Sequence, residues 1–156
     1  MRKAMLLLAI LGLAGSLWAA TPQLGTWKLN IAQSKFSPSY PAPKELTFVF
    51  QAVGDQIEWV LTGTNASGSP ISTKATYPQE GGVVKWVVPP LGPADSTTIA
   101  TVITPYELYG TILKDGKQQQ VDHIVISKDG RTTHETVKGK NSQGRPFEVL
   151  LVFDKQ

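Results

Sequence analysis

The feature that most constrains this chain is a two-residue hydrophobic period that runs from about residue 24 to the end, with no stretch of helical period. In Gln56-Ile57-Glu58-Trp59-Val60-Leu61-Thr62, the residues Ile57, Trp59 and Leu61 share one face. Phe147, Val149, Leu151 and Phe153 do the same, with Glu148 and Asp154 opposite. Tyr106, Leu108, Gly110 and Ile112 face away from Glu107, Tyr109 and Thr111, and Val121, His123 and Val125 alternate with Asp122 and Ile124. These are half-buried strands. Between them stand hairpin signals: Gly54-Asp55, Glu80-Gly81-Gly82, Lys114-Asp115-Gly116-Lys117 and Lys128-Asp129-Gly130-Arg131. Asp-Gly supplies the positive backbone angles of a tight type I′ turn. About ten strands are expected, near 24–30, 44–52, 55–62, 70–77, 83–88, 96–104, 106–113, 117–127, 131–138 and 145–153. Tight connections pair sequential neighbours, so the expected fold is all-β: an up-and-down antiparallel meander that hides its edges by closing into a barrel.

The first twenty residues stand apart. MRKAMLLLAILGLAGSLWAA has a basic start (Arg2, Lys3), an apolar run from Met5 to Leu13 and a small-residue zone from Ala14 to Ala20. That order predicts a secretory signal peptide over 1–20 and one barrel domain over 21–156, exported to the periplasm or beyond. The rival reading is an uncleaved anchor, which would be the chain's sole contact with a membrane. Without Arg2 and Lys3 the remaining domain has 13 Lys+Arg against 12 Asp+Glu, and the charges alternate in sign. Nucleic-acid binding therefore lacks its electrostatic footprint. The chain has no cysteine, so a packed core must stabilise the domain, and about 136 residues suffice for one. A monomer is expected.

Two proline-rich patches interrupt the strands. Ser37 to Lys44 carries Pro38, Pro41 and Pro43, and reads as an extended loop after the first strand. Val88-Pro89-Pro90-Leu91-Gly92-Pro93 turns the chain at one end of the barrel. An internal echo links 63–71 with 139–147 in the frame G-x-N-x-x-G-x-P-apolar. Shared hairpin chemistry, with Asn and Gly at the turn and Pro opening the next strand, accounts for it better than a duplicated site.

Chemistry-bearing constellations are scarce. His123 and His134 are the two histidines, each inside a strand, and their neighbours Asp122 and Glu135 point to opposite faces from them. A metal needs three or four converging ligands, so no metal site is expected. There is no G-x-S-x-G elbow and no glycine-rich phosphate loop before a helix. No spacing nominates a carboxylate pair. Neither catalysis nor a cofactor is expected.

The aromatic residues are more informative. Trp27, Phe48, Phe50, Trp59, Tyr77, Trp86, Tyr106, Tyr109, Phe147 and Phe153 spread over most strands, while Ile71, Thr73, Ala75 and Ile99, Thr101, Ile103 mix small and hydroxyl groups. A barrel of eight to ten strands is either filled by large side chains or keeps a cavity, and small inward residues favour the cavity. Face parity nominates Phe48, Trp59, Tyr77, Tyr106 and His123 as lining, with a mouth near Tyr40 and the loop at 88–93.

The segment GTWKLN, residues 25–30, carries Gly-x-Trp on the first strand and so resembles the opening of the calycin barrels, the lipocalins and the intracellular lipid-binding proteins. GTWKL is similar to the first strand of the fatty-acid-binding proteins. The longer GTWKLNIAQSKFSPSYPAP, with the KDG turns and the terminal Phe153-Asp154-Lys155-Gln156, resembles secreted bacterial lipocalin-like proteins. The resemblance implies that Gly25 and Trp27 close one end of the barrel. It implies a basic residue across the Trp as well, for which Arg145 or Arg131 is the candidate. Three prolines replace the helical pair of the fatty-acid-binding proteins, and FEVLLVFDKQ lacks their Arg-x-Tyr anchor. The leading expectation is thus a non-catalytic barrel for a small apolar or amphipathic ligand, which a core without a void above about 300 Å³ would contradict. The alternative is a filled barrel that recognises an envelope protein or glycan through its loops.

Overall fold

The computed structural model describes residues 21–88 and 95–156, so the expected leader and most of the second proline patch lie outside them. Eleven strands follow the meander: β1 (Gly25–Leu29), β2 (Glu45–Val53), β3 (Gln56–Thr64), β4 (Pro70–Pro78), β5 (Gly81–Val83), β6 (Lys85–Val88), β7 (Thr97–Thr104), β8 (Glu107–Lys114), β9 (Lys117–Ile126), β10 (Thr132–Lys140) and β11 (Pro146–Lys155). They form one antiparallel sheet in the order β5-β7-β8-β9-β10-β11-β1-β2-β3-β4-β6. No helix is present among the described residues.

The Asp115-Gly116 turn is the one its dipeptide dictates, whereas at Asp129-Gly130 only the glycine takes positive φ, 68°, so the type I′ geometry expected there is not met. Asp115 and Gly116 have φ of 50° and 70°, the left-handed pair of a type I′ turn. In the echoed loops the two asparagines do the same work. Asn65 Oδ1 accepts from Ser69 N at 2.8 Å, and Asn141 Oδ1 accepts from Arg145 N at 3.0 Å.

The strand expected near 83–88 is divided, and this division closes the barrel. β5 pairs with β7 (Gly82↔Ala100), Val84 N donates to Thr98 O at 2.9 Å, and β6 then pairs with β4 (Ala75↔Trp86). One stretch of chain thus serves both ends of the meander. Among the described residues β6 makes no ladder with β7, so the wall is least bonded there.

One end is capped by a unit built on Gly25 and Trp27. Trp27 is 2% exposed, and its Nε1 donates to Gln23 O at 2.8 Å. Tyr77 donates its hydroxyl to Gln23 Oε1 at 2.8 Å. Lys155, opposite Trp27 in the ladder, holds its ammonium 4.9 Å from the indole centroid and donates to Pro22 O at 3.0 Å. Gly25 has φ +123°, and a Cβ there would sit 2.8 Å from Lys155 Cε. The Gly-x-Trp spacing therefore makes room for the lysine that covers the tryptophan. The basic residue across the Trp is Lys155, not Arg145 or Arg131. At the other end the segment after β1 docks on β11 through Lys35 and Leu150, and Tyr40 packs on Phe147 with centroids 5.2 Å apart. Tyr40 plugs this end of the core and does not rim a mouth.

A β-bulge decides which face of β9 is inside. From the turn the register runs Lys114↔Lys117 and Leu113↔Gln118, then jumps to Ile112↔Gln120, leaving Gln119 unopposed. The extra residue reverses the parity of everything after it. A Cβ on Gly139 would lie 3.0 Å from Gln119 O, so this glycine admits the bulged backbone.

Replacing Trp27 with Ala removes the largest fully buried side chain among the described residues, takes the ring from under Lys155 and leaves Gln23 O without its indole donor. Stability should fall by about 3–5 kcal/mol, read as a lower urea midpoint with an unchanged slope. A loss of under about 1 kcal/mol would show that the cap does not hold this end.

Candidate functional site

The inner faces of the strands enclose a cavity of about 140 Å³. One wall is aromatic. Phe48 contacts Phe153 at 5.3 Å and Trp59 at 5.6 Å between centroids, and Trp59 meets Trp86 edge-on at 5.2 Å. Period two on β2, β3 and β6 puts Phe48, Phe50, Trp59 and Trp86 on this wall, and each borders the cavity.

Of the residues nominated from parity, Phe48, Trp59 and Tyr77 line the cavity. Tyr106 and His123 do not. Tyr106 belongs to the turn between β7 and β8 and is 40% exposed. His123 lies on the outer surface, where its Nε2 meets Glu107 Oε1 at 2.9 Å and its ring stacks on Tyr109 at 4.3 Å. The bulge is the reason: without it His123 would face the lumen, and with it Gln120, Asp122, Ile124 and Ile126 do.

The opposite wall therefore carries two carboxyl groups: Asp122, which parity reasoning had turned outward, and Glu135, to which it had assigned no face. Asp122 stands opposite Val137 and Glu135 opposite Ile124, which makes the two acids diagonal neighbours on the inner face of β9 and β10. Both are half-buried, and both line the cavity. Asp122 Oδ1 accepts from Gln120 Nε2 at 2.8 Å, and its Oδ2 lies over Gly110, 3.3 Å from where a Cβ would be. Among the described residues no side chain donates to Glu135, and neither acid has an ion-pair partner. Two further polar atoms, Trp86 Nε1 and Thr98 Oγ1, are out of solvent beside the unbonded part of the wall and have no hydrogen-bond partner among the described residues.

Burial raises both carboxyls above their ordinary range. For Asp122 the hydrogen bond from Gln120 works against the rise, and for Glu135 the charge of Asp122 adds to it. The pair titrates between about 6 and about 8. Tyr40 is pushed up to about 12, first by burial and then by the negative charge of Glu135 and Asp122. Burial raises Tyr77 too, against its hydrogen bond to Gln23. Among the described residues no group of three His, Asp or Glu side chains gathers around a point, so the acids form a pair and not a metal cluster.

No family profile matches the chain, and neither does any curated protein sequence. Its fold is similar to that of a de novo designed fluorescence-activating β-barrel, at 18% identity and TM-score 0.42, covering 88% of this chain and 97% of that one. It is similar also to the crystal structure of Rv2717c from M. tuberculosis, at 16% identity and TM-score 0.47, covering 92% and 98% of the two chains. Both likenesses are of the fold alone.

The acid pair makes stability depend on pH with a definite sign. The folded state holds these protons more tightly than the unfolded chain, whose carboxyls titrate near about 4. The protonated pair thus stabilises the fold at low pH, and that contribution is lost as pH rises through about 6 to about 8. Tm should fall between pH 5 and pH 9. Glu135→Gln should flatten the fall and raise Tm at pH 8 by several degrees, as a gain of about 1–2 kcal/mol would. A Tm equally flat in both proteins would contradict the assignment.

Proposed function

We propose that the protein is an exported, non-catalytic β-barrel that holds one small apolar or amphipathic molecule in its lumen. The observation that carries this reading is the cavity of about 140 Å³, bounded by aromatic rings on one wall and by Asp122 and Glu135 on the other, with Trp86 Nε1 and Thr98 Oγ1 in its lining unpaired among the described residues. An apolar lining with a few converging polar groups is the usual composition of a ligand site. The leader-like first twenty residues support export.

Size limits the ligand. The void falls short of the roughly 300 Å³ expected from the sequence, which counts against a carrier of drug-sized molecules and leaves the reading only for a smaller guest. It is close to the space of about 150 Å³ that admits benzene in an apolar core. A long-chain lipid does not fit, and a single ring with a short polar substituent does. The same shortfall favours a second reading, in which the barrel is a filled scaffold and its loops recognise an envelope component.

A neutral probe separates the two. Saturating benzene should raise Tm by a few degrees, through preferential binding to the folded state, and should perturb the fluorescence of Trp59 and Trp86. Native mass spectrometry of the protein from its own envelope should then show a one-to-one small-molecule adduct. Unchanged Tm and fluorescence together with a bare mass would move the assignment to the filled scaffold.

A further inference from the structure

Resting on the reading of the lumen as a binding site, we propose that its ligand is a small protonated amine, with the ammonium against Asp122 and Glu135 and the apolar body against Phe48, Trp59 and Trp86. The argument begins with charge. Two carboxyls share the inner face, yet among the described residues no Lys, Arg or His pairs with either, and every ion pair there is formed by other residues. Buried carboxylates without a counter-charge are costly, and natural interiors pair them or leave them protonated. A cation supplied from outside satisfies both acids at once.

Geometry agrees. Gln120 occupies only one oxygen of Asp122, and among the described residues no hydrogen bond reaches the Glu135 carboxyl. An ammonium has three donors and no acceptor, which suits three or more vacant carboxylate lone pairs. Gly110, directly opposite Asp122, contributes no side chain, and the Asp122 carboxyl lies over it on the lumen wall. Across the lumen the faces and edges of three aromatic rings offer the complementary surface for the ligand's body and for the cation itself.

A second, independent observation marks the site as made for a polar guest. Trp86 Nε1 and Thr98 Oγ1 are buried on the wall of the same cavity with no partner among the described residues. Unpaired buried donors of this kind are rare in folded proteins. They would receive an acceptor at the far end of the guest, such as a hydroxyl. Anionic guests are disfavoured, because a third negative charge would join the pair. A divalent metal is disfavoured by the lack of a third His, Asp or Glu nearby among the described residues.

The titratable group that faces the acids from another element is Tyr40, on the segment after β1, and it stays neutral up to about 12. His123, though adjacent to Asp122 in sequence, is on the outer surface against Glu107 and Tyr109. The pair alone therefore sets the pH response. A bound ammonium favours the charged carboxylates and draws a proton off them, so affinity should climb as pH rises from about 6 to about 8.

The test is a calorimetric titration of the protein at pH 8 with three isosteres: 2-phenylethylamine, 2-phenylethanol and 3-phenylpropionate. The amine should bind at least about tenfold tighter than the alcohol, as expected of a charge-assisted hydrogen bond, and the carboxylate should not bind. Glu135→Gln and Asp122→Asn should each reduce the preference for the amine without abolishing binding of the alcohol. The loss of the amine's advantage at pH 5 in the unmodified protein supplies the same reading should either variant fail to fold. Equal affinity for amine and alcohol, or a preference that survives both substitutions and low pH, would overturn the amine assignment while leaving the cavity a binding site. Binding of none of the three would overturn the amine and the cavity reading together.

Discussion

Everything inside this protein depends on the one strand that hydrogen-bonds twice. A meander of this length has two edges, and exposed edges invite pairing with other chains. The stretch from Gly81 to Val88 meets both edges by giving its first half to β7 and its second half to β4. The switch takes a register shift beside Ala75 and leaves β6 and β7 unpaired with each other. That closure turns ten amphipathic segments into one enclosed space. It also fixes where the wall is thinnest, beside Trp86 and Thr98.

The two ends are sealed by different chemistry. At one end Trp27, Gln23, Tyr77 and Lys155 form a hydrogen-bonded and cation-covered cap with no vacancy. At the other the rings of Tyr40 and Phe147 pack against the core cluster of Leu29, Leu46 and Leu61. Between them the lumen is divided lengthwise, aromatic on β2, β3 and β6 and acidic on β9 and β10. The aromatic wall gains dispersion and area burial on folding. The acidic wall opposes folding whenever it is charged, a cost of the kind associated with functional sites.

Much of the fold was legible because the relevant forces are local. Alternation set the strands and Asp-Gly set the hairpins. The Gly-x-Trp of residues 25–27 marked the capped end by its resemblance to the opening strand of other barrels, and its steric reason lies in Lys155. The lysine over the tryptophan was hidden, because only ladder pairing between the first and last strands brings residues 27 and 155 together. The acid pair was hidden for a sharper reason. Regular pairing from the Asp115-Gly116 turn sets Val121 against Gly110, and so turns His123 inward and Asp122 outward. The unopposed Gln119 reverses that assignment. A trace of it did exist, in two mid-strand glycines, Gly110 and Gly139, of the kind that mark close approach of another group.

The bulge has an evolutionary meaning. Substitutions change a lumen one side chain at a time, but here the whole inner face of β9 is selected by a single inserted residue. Pairing Gln119 regularly against Ile112 would exchange Gln120, Asp122 and Ile124 for Val121, His123 and Val125 without altering any letter of the strand, whereas deleting Gln119 would remove the bulge and leave Asp122 opposite Gly110. Related barrels that carry this residue in the ladder instead of in a bulge would hold lumens of opposite character, acidic in one and imidazole-bearing in the other. Ligand preference in such a lineage would follow the placement of its bulges more closely than its percentage identity.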